Sequence, residues 1–557
     1  MEPYASRIKD ANERRAKAGR YAPGVAAYSD SDMFKKPPTP GMPVAKRWDN
    51  HFSAECKARR PCVLKQAAQF LKTPGILSLG GGLPSATSFP FSSLTVTVPP
   101  RPSFNLPSSS TEAPDISFSI GKDDIALDKG DYDLSVALNY GQVTGAAQLI
   151  RLLTELTEIL YAPPYADWWC MQTTGSTGAW ETAARMFCDK ERRDTVLMEE
   201  YTYPTSQETM EALGIGIVGV KMDGEGLVPA ELRNILQGWD EEKRGRRKPH
   251  VLYTVPTGQN PTGASLSEGR RREIYAICEE HDVFIVEDDP YYLLQMGEYN
   301  KSSSENGHST EKRVESYMAS LPGTFLSMDS SGRVLRLDSF SKILSPGSRM
   351  GWATGSAQVI ERFQRHCESS QGPSGFSQAA LYTLLEKAWG GHEGFLEWVA
   401  ALGGEYKVRR DVLLKACEDF LPDVATWDPP KAGMFLWIKL DHTRHPRGSA
   451  GVLALEEEIF KSCISKKVLV SRGSWFRAGE HGPSVQTQNG ASRADPVANG
   501  GGNESNGANG VNGKSHLGSE DEPSELFFRT TFAAASVEGM REAMRRFGDA
   551  IRESFEI

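Results

Sequence analysis

A lysine that is to form an imine with a carbonyl compound needs a depressed pKa, and a nearby cation or an apolar site supplies that. Ser339-Phe340-Ser341-Lys342 offers such a lysine, with Arg349 seven residues downstream across Pro346-Gly347. The planar fork of an arginine suits a phosphate, and serine hydroxyls add hydrogen-bond donors. The stretch follows Arg333-Val334-Leu335-Arg336-Leu337, a short run of β character, which puts the lysine at a strand end. Alone, it is equally an exposed lysine in a polar loop, and the rest of the chain must decide.

Other candidate strand ends carry groups that complement an imine-forming lysine. Val283 to Val286 leads into Glu287-Asp288-Asp289-Pro290-Tyr291-Tyr292, a carboxylate cluster with a phenol three residues on. A buried carboxylate facing a pyridine nitrogen keeps it protonated and makes the ring an electron sink. Together these residues indicate pyridoxal 5′-phosphate on Lys342, with Arg349 and Ser339 on the phosphate. Divalent metal at the acids lacks histidine support, and no metal site is expected. His250 to Thr254 leads into Pro256-Thr257-Gly258-Gln259-Asn260-Pro261-Thr262-Gly263, where the Asn260 amide can donate to a ring oxygen. Glu199-Glu200-Tyr201-Thr202-Tyr203-Pro204 offers an aromatic face. Trp168 to Thr174 reads as a buried strand entering Thr174-Gly175-Ser176-Thr177-Gly178 and a helix from Ala179 to Phe187. Strand, small-residue turn and helix N-terminus together make an anion site. The spacing is neither a Walker loop nor a dinucleotide fingerprint.

These pieces need a scaffold that brings strand ends together. Further strands are expected at Thr195 to Met198, Ile215 to Val220 and Val334 to Leu337, separated by helices such as Arg270 to Glu280. That alternation predicts an α/β fold: a mostly parallel sheet sandwiched by helices. Residues 1–60 read as a largely irregular arm, 61–130 as a segment with a Ser/Pro-rich insertion at 92–122, and 131–370 as the large domain. Residues 371–557 read as the C-terminal part of a smaller α/β domain to which the N-terminal segment also contributes. It holds long helices at Gln378 to Ala388 and Phe395 to Phe420, strands at Gly433 to Ile438, Val468 to Val470 and Leu526 to Phe532, and a closing helix from Val537 to Phe555. Residues 300–312 read as an inserted loop, and 479–523, rich in Gly, Asn and Ser, as a disordered insertion.

Composition narrows the function classes. The 557 residues are 39% hydrophobic and 24% charged with a net charge of −9, which disfavours a nucleic-acid partner. No apolar run reaches the length of a membrane span, so no membrane association is expected. Eight scattered cysteines without a Cys-x-x-Cys pair suit free thiols in a reducing compartment, and the expected location is cytoplasmic.

Asn-Pro-Thr-Gly, Asp-Pro-Tyr-Tyr and Ser-Phe-Ser-Lys with its following arginine resemble, in that order, the class I/II aminotransferases of pyridoxal-phosphate fold type I, over about residues 60 to 557. Gly-Gly-Leu-Pro, Glu-Asp-Asp-Pro-Tyr-Tyr-Leu-Leu-Gln, Ala-Gly-Met-Phe-Leu-Trp-Ile and Phe-Arg-Thr-Thr-Phe-Ala resemble fungal aromatic amino acid aminotransferases and the related kynurenine/2-aminoadipate aminotransferases. The resemblance implies that Lys342 binds the cofactor and shuttles the proton, that Asp289 pairs with the pyridine nitrogen, and that Tyr292 and Asn260 bond the ring oxygen. It implies that Tyr203 stacks on the ring, that Ser176, Thr177, Ser339 and Arg349 hold the phosphate, and that Tyr140 reaches the phosphate of the neighbouring subunit in a homodimer. Arg529 would grip the substrate α-carboxylate, with Gly82 and Asn260 beside the substrate. The activity implied is transfer of an amino group from an aromatic amino acid to a 2-oxo acid such as 2-oxoglutarate. Kynurenine or 2-aminoadipate as donor, a β-lyase reaction, or a cofactor-sensing regulator are the other readings. Residues 1–60 supply no helix-turn-helix for the last.

Overall fold

Four runs that are apolar almost without interruption, Trp168–Thr173, Thr195–Glu199, Val251–Thr254 and Phe284–Asp288, are buried on both faces, as strands inside a covered parallel sheet must be. The computed structural model describes residues 3–24, 26, 28–67, 70, 73, 76–77, 79–80, 82–101, 103–104, 106, 114–300, 310–479 and 523–557. In chain order the strands are β1 (Ser93–Val98), β2 (Ile116–Gly121), β3 (Trp168–Thr173), β4 (Thr195–Glu199), β5 (Gly216–Val220), β6 (Met222–Asp223), β7 (Gly226–Leu227), β8 (Val251–Thr254), β9 (Phe284–Asp288), β10 (Val334–Ser339), β11 (Gly351–Ser356), β12 (Ala425–Trp427), β13 (Phe435–Leu440), β14 (Ser471–Arg472) and β15 (Leu526–Thr531).

The large sheet has the order β3-β11-β10-β9-β8-β4-β5. Pairings β4–β5, β4–β8, β8–β9 and β9–β10 are parallel, and β11 alone runs against its neighbours. The C-terminal ends of β3, β4, β8, β9 and β10 therefore share one edge with the start of β11, where ligands gather in open α/β sheets. A second, antiparallel sheet has the order β12-β13-β15-β14, and two small ribbons pair β1 with β2 and β6 with β7. The fold is the expected mixed, mainly parallel α/β arrangement.

The register between β9 and β10 is fixed by buried charge. Arg336 pairs with Glu287 across the two strands and, fully buried, bonds Asp289 at 3.1 Å, Glu287 at 3.1 Å and Asp338 at 2.9 Å. Its guanidinium carbon lies 4.2 Å from the Tyr161 ring centroid and 4.7 Å from that of Tyr292. Arg271, also fully buried, lies 3.7 Å from Glu287 and donates to Thr257 and the Pro256 carbonyl. Glu287 in turn accepts the Phe325 and Leu326 backbone N–H groups.

The N-terminal arm differs from expectation. Tyr4–Lys17 is a helix, and Trp48, Phe52 and Cys56 are buried in the main core rather than left outside it. The helix turns Tyr4, Ile8, Ala11 and Arg15 to one side, a stripe too polar to stand out in sequence; Arg15 there bonds Glu155 at 2.6 Å and Glu386 at 2.7 Å. The Ser/Pro-rich insertion contains the β1–β2 ribbon, whose exposed face carries Thr95–Ser119 and Thr97–Ser117 hydroxyl pairs. The strand expected at Val468 to Val470 falls instead at Ser471–Arg472. Residues 301–309 and 480–522, within the expected loop at 300–312 and insertion at 479–523, lie outside the described residues. None of the eight cysteines forms a disulfide, and no described helix is long and apolar enough to cross a membrane.

Removing Arg336 would strand buried carboxylates from two strands. Arg336→Met should therefore lower the unfolding free energy by about 3–5 kcal/mol in urea titrations followed by circular dichroism.

Candidate active site

The turn after β3 is built for an anion. Gly175 adopts φ 101°, a region that favours glycine, and a Cβ there would lie 2.7 Å from Arg349 Nη2. Glycine thus lets the guanidinium lie against the turn. The helix Ser176–Phe187 that follows has no side-chain cap, so its first N–H groups point outward unsatisfied. Arg349 donates to the Thr174 carbonyl at 3.1 Å, to Ser341 Oγ at 3.3 Å and to the Pro346 carbonyl at 2.7 Å. Its backbone is left-handed at φ 48°, the kind of outlier that the surrounding structure must hold in place. Ser339 is buried and accepts the Ser341 N–H at 3.1 Å, while Thr177 is exposed in the first helical turn. Ser176, Thr177, Ser339 and Arg349 are thus brought to one place.

Lys342 is half-buried beside them and makes no ion pair among the described residues. Burial, and then the charges of Arg349 and Arg529, lower its pKa from the usual lysine value. That favours the neutral, nucleophilic amine.

The carboxylate and phenol are where the structure departs from the sequence expectation. Asp289 is buried, but its Oδ2 accepts from Arg336 and from Thr257 Oγ1, each at 3.1 Å, on the face of the sheet that holds the arginine cluster. Tyr292 lies on that same side, its hydroxyl donating to the Pro322 carbonyl at 2.9 Å. Asp288 and Tyr291 take the other side. Side chains alternate along an extended strand, so choosing a position one residue off selects the opposite face. Asp288 Oδ2 accepts from Tyr253 at 2.7 Å, and Tyr253 packs on Trp180 of the Ser176–Phe187 helix, with ring centroids 4.5 Å apart. The Ser176 hydroxyl is a further neighbour of Asp288, and Oδ1 makes no full hydrogen bond among the described residues. Burial pushes the Asp288 carboxyl up to about 6, against the pull of Tyr253 and Ser176. Tyr291 is buried edge-on to Phe435 at 5.6 Å; burial raises its phenol, with Asp288, Arg529, Tyr203 and the Asn260 amide around it.

Arg529, on β15, reaches the same space from the second sheet. Its Nη1 donates to Asn260 Oδ1 at 2.7 Å and its Nη2 to Ser471 Oγ at 3.2 Å; no carboxylate pairs with it among the described residues. Burial lowers its pKa, opposed by the Tyr291 and Tyr203 phenols. Asn260 lies in the turn after β8, joined to Pro261 by a cis peptide, and Tyr203 stands at the end of β4 just ahead of Pro204. Gly82 and Tyr140 are not brought to this group. Gly82 is exposed, and a Cβ built on it would meet nothing within 4 Å. Tyr140 is 71% exposed and lines a separate cavity with Tyr21 and Tyr132.

Asp288 carries its own test. A carboxyl that titrates near 6 when folded and near 3.8 when unfolded binds more protons in the folded state between those values. Its contribution to stability is then present below about pH 4 and lost as pH rises through 6. Without ligand, Asp288→Asn should match the parent below pH 4 and exceed it by about 1–3 kcal/mol above pH 7 in chemical unfolding.

Comparison with known proteins agrees with this geometry. Residues 132–487 match the family model described as aminotransferase class I and II. The aminotransferase swnA of Metarhizium robertsii is 38% identical, with 92% of this chain and 93% of the relative aligned. An L-tyrosine:2-oxoglutarate aminotransferase of Tapinella panuoides is 37% identical over 72% of this chain and 75% of its own. The crystal structure of aminotransferase Aro8 from Candida albicans superposes with a TM-score of 0.78 at 34% identity, covering 92% of this chain and all of that one. With a family model matched over residues 132–487 and a relative 38% identical across 92% of this chain, the protein belongs to the class I and II aminotransferases.

Proposed function

We propose that this aminotransferase moves the amino group of an aromatic amino acid to a 2-oxo acid, foremost 2-oxoglutarate, in two half-reactions on pyridoxal 5′-phosphate. The observation that carries the cofactor is the placement of Asp288, buried on the face of the sheet that holds Tyr253, Ser176 and Tyr291 and away from the Arg336 cluster, with an Oδ1 that makes no full hydrogen bond among the described residues. A protonated pyridine nitrogen is the partner such an oxygen lacks. The residues fit the group. Ser176, Thr177, Ser339, Arg349 and the helix N-terminus would hold its phosphate, Tyr291 and Asn260 its ring oxygen, and Tyr203 would cover its face. Asp288 and Tyr291 replace Asp289 and Tyr292 in this assignment.

When bound, pyridoxal phosphate supplies an aldehyde carbon for the amine and a ring that draws electrons from the substrate Cα–H bond. Arg529 grips the α-carboxylate in its fork and so orients that bond. Lys342 Nζ, kept partly neutral by burial and its cationic neighbours, takes the Cα proton and would deliver it to the cofactor carbon that carried the aldehyde. Asp288 holds the ring-nitrogen proton, and the aromatic surround of Tyr203, Tyr291 and Phe435 excludes water. Support for the aromatic donor and for 2-oxoglutarate comes from the Tapinella panuoides relative's activity. A homodimer completes the proposal: Leu77 and Leu79 are more than nine-tenths exposed, and Tyr140 extends outward where a neighbouring subunit's phosphate could meet it.

Lys342→Ala should abolish transfer from a panel of amino donors to 2-oxoglutarate, a loss of at least about 100-fold. Turnover at the parental rate would remove Lys342 from the mechanism, and release of pyruvate and ammonia without an oxo acid would make the chain a lyase. Asp288→Asn should lose activity by a similar factor, while Asp289→Asn should lower stability and leave the bound cofactor's absorbance unchanged.

A further inference from the structure

Arg529 is a half-buried cation that no carboxylate pairs with among the described residues. Besides Asn260 and Ser471, two phenyl rings lie against it: its guanidinium carbon is 4.5 Å from the Phe435 centroid and 4.6 Å from that of Phe476. We propose that Phe476, together with Phe435, is a positioning residue for the substrate carboxylate, the two rings holding the Arg529 guanidinium where an acidic partner would otherwise do so. The inference rests on Arg529 as the carboxylate-binding group.

An acid beside Arg529 would fix it equally well, but it would occupy the N–H groups that a substrate needs and would repel the incoming anion. An aromatic face attracts a cation through its quadrupole and consumes none of the donors. Apolar rings also keep water away, so an arriving carboxylate meets the guanidinium in a medium of lower dielectric constant.

Both rings are built in firmly. Phe435 is 7% exposed and stands edge-on to Tyr291; Phe476 is 3% exposed and stands edge-on to Trp437 at 6.0 Å. The placement of Phe476 is set from the large sheet. Its carbonyl accepts the Thr202 N–H at 2.8 Å and Gln207 Nε2 at 3.0 Å, and Ala478 N–H bonds the Glu200 carbonyl at 2.7 Å. The ring that steadies Arg529 is therefore anchored on the turn that carries Tyr203, and the two are placed together.

The test uses the holoenzyme and Phe476→Leu, which keeps an apolar side chain and loses the quadrupole. KM for the amino acid and for the oxo acid should both rise by roughly 5- to 30-fold, because both carry the same carboxylate. The saturated rate should stay within about twofold and the cofactor absorbance should not move. Affinity for 3-phenylpropanoate, measured by calorimetry, should fall by the same factor, and Phe476→Tyr should restore all three. Unchanged KM and unchanged 3-phenylpropanoate affinity would overturn the proposal. So would a KM rise confined to aromatic substrates and absent with alanine, which would make Phe476 a wall of the side-chain pocket. Phe476→Met carries the same expectations if Phe476→Leu fails to fold. The calorimetric arm needs no turnover, so a wrongly assigned amino donor would show as inactivity of the parent while 3-phenylpropanoate binding still reports on the rings.

Discussion

The buried pairing of Arg336 with Glu287, Asp289 and Asp338 is the constraint on which the site depends. A guanidinium without solvent is tolerable only with carboxylates close by, and these three come from both strands that flank it. Satisfying them locks β9 against β10 in one register. Glu287 and Asp289 must then face the arginine, and Asp288 must face the opposite way, toward Lys342 and the helix that starts at Ser176. Two acids adjacent in sequence thereby acquire opposite duties. One is held in a structural ion cluster, and the other, on the opposite face, bonds Tyr253 and lies beside Ser176.

On the working side of the sheet the charges are arranged by the reverse rule. Lys342, Arg349 and Arg529 converge without a carboxylate to neutralise them, and each has a neutral reason for staying put: burial, backbone carbonyls, or aromatic rings. The protein holds three cations ready for anions that it does not itself contain. Arg349 and Arg529 also depress the lysine's proton affinity, so the arrangement proposed to receive phosphate and carboxylate prepares the amine as well.

Much of this was legible in the sequence. Gly175 between a strand and a helix, Lys342 after a strand, Arg349 after a Pro-Gly turn and Arg529 among phenylalanines all lie where their types imply, because turn chemistry and lone cations leave local signatures. The choice between Asp288 and Asp289 was not legible. Val283 to Val286 is buried on both faces, so it lacks the apolar–polar alternation that would reveal which way the next carboxylates point. The N-terminal helix escaped notice because the side it turns inward ends in Arg15, whose partners Glu155 and Glu386 lie far along the chain. Phe435 and Phe476 are ordinary core residues by type; only their distance from a guanidinium separates them from the rest. Gly82 and Tyr140 lie exposed and away from the residues around Lys342, so their types alone carry no local signature of a role.

The place of β15 has a consequence for how the molecule is made. This strand, the last in sequence, lies between β13 and β14 rather than at an edge of its sheet. Until β15 is made, β13 and β14 lack the neighbour they share, and an open strand edge is where unintended association begins. A ribosome that stalls before Leu526 leaves behind both an exposed sheet edge and a protein without Arg529. A chain that has not yet formed β15 therefore lacks at once the strand that joins β13 to β14 and the arginine proposed to bind the substrate carboxylate.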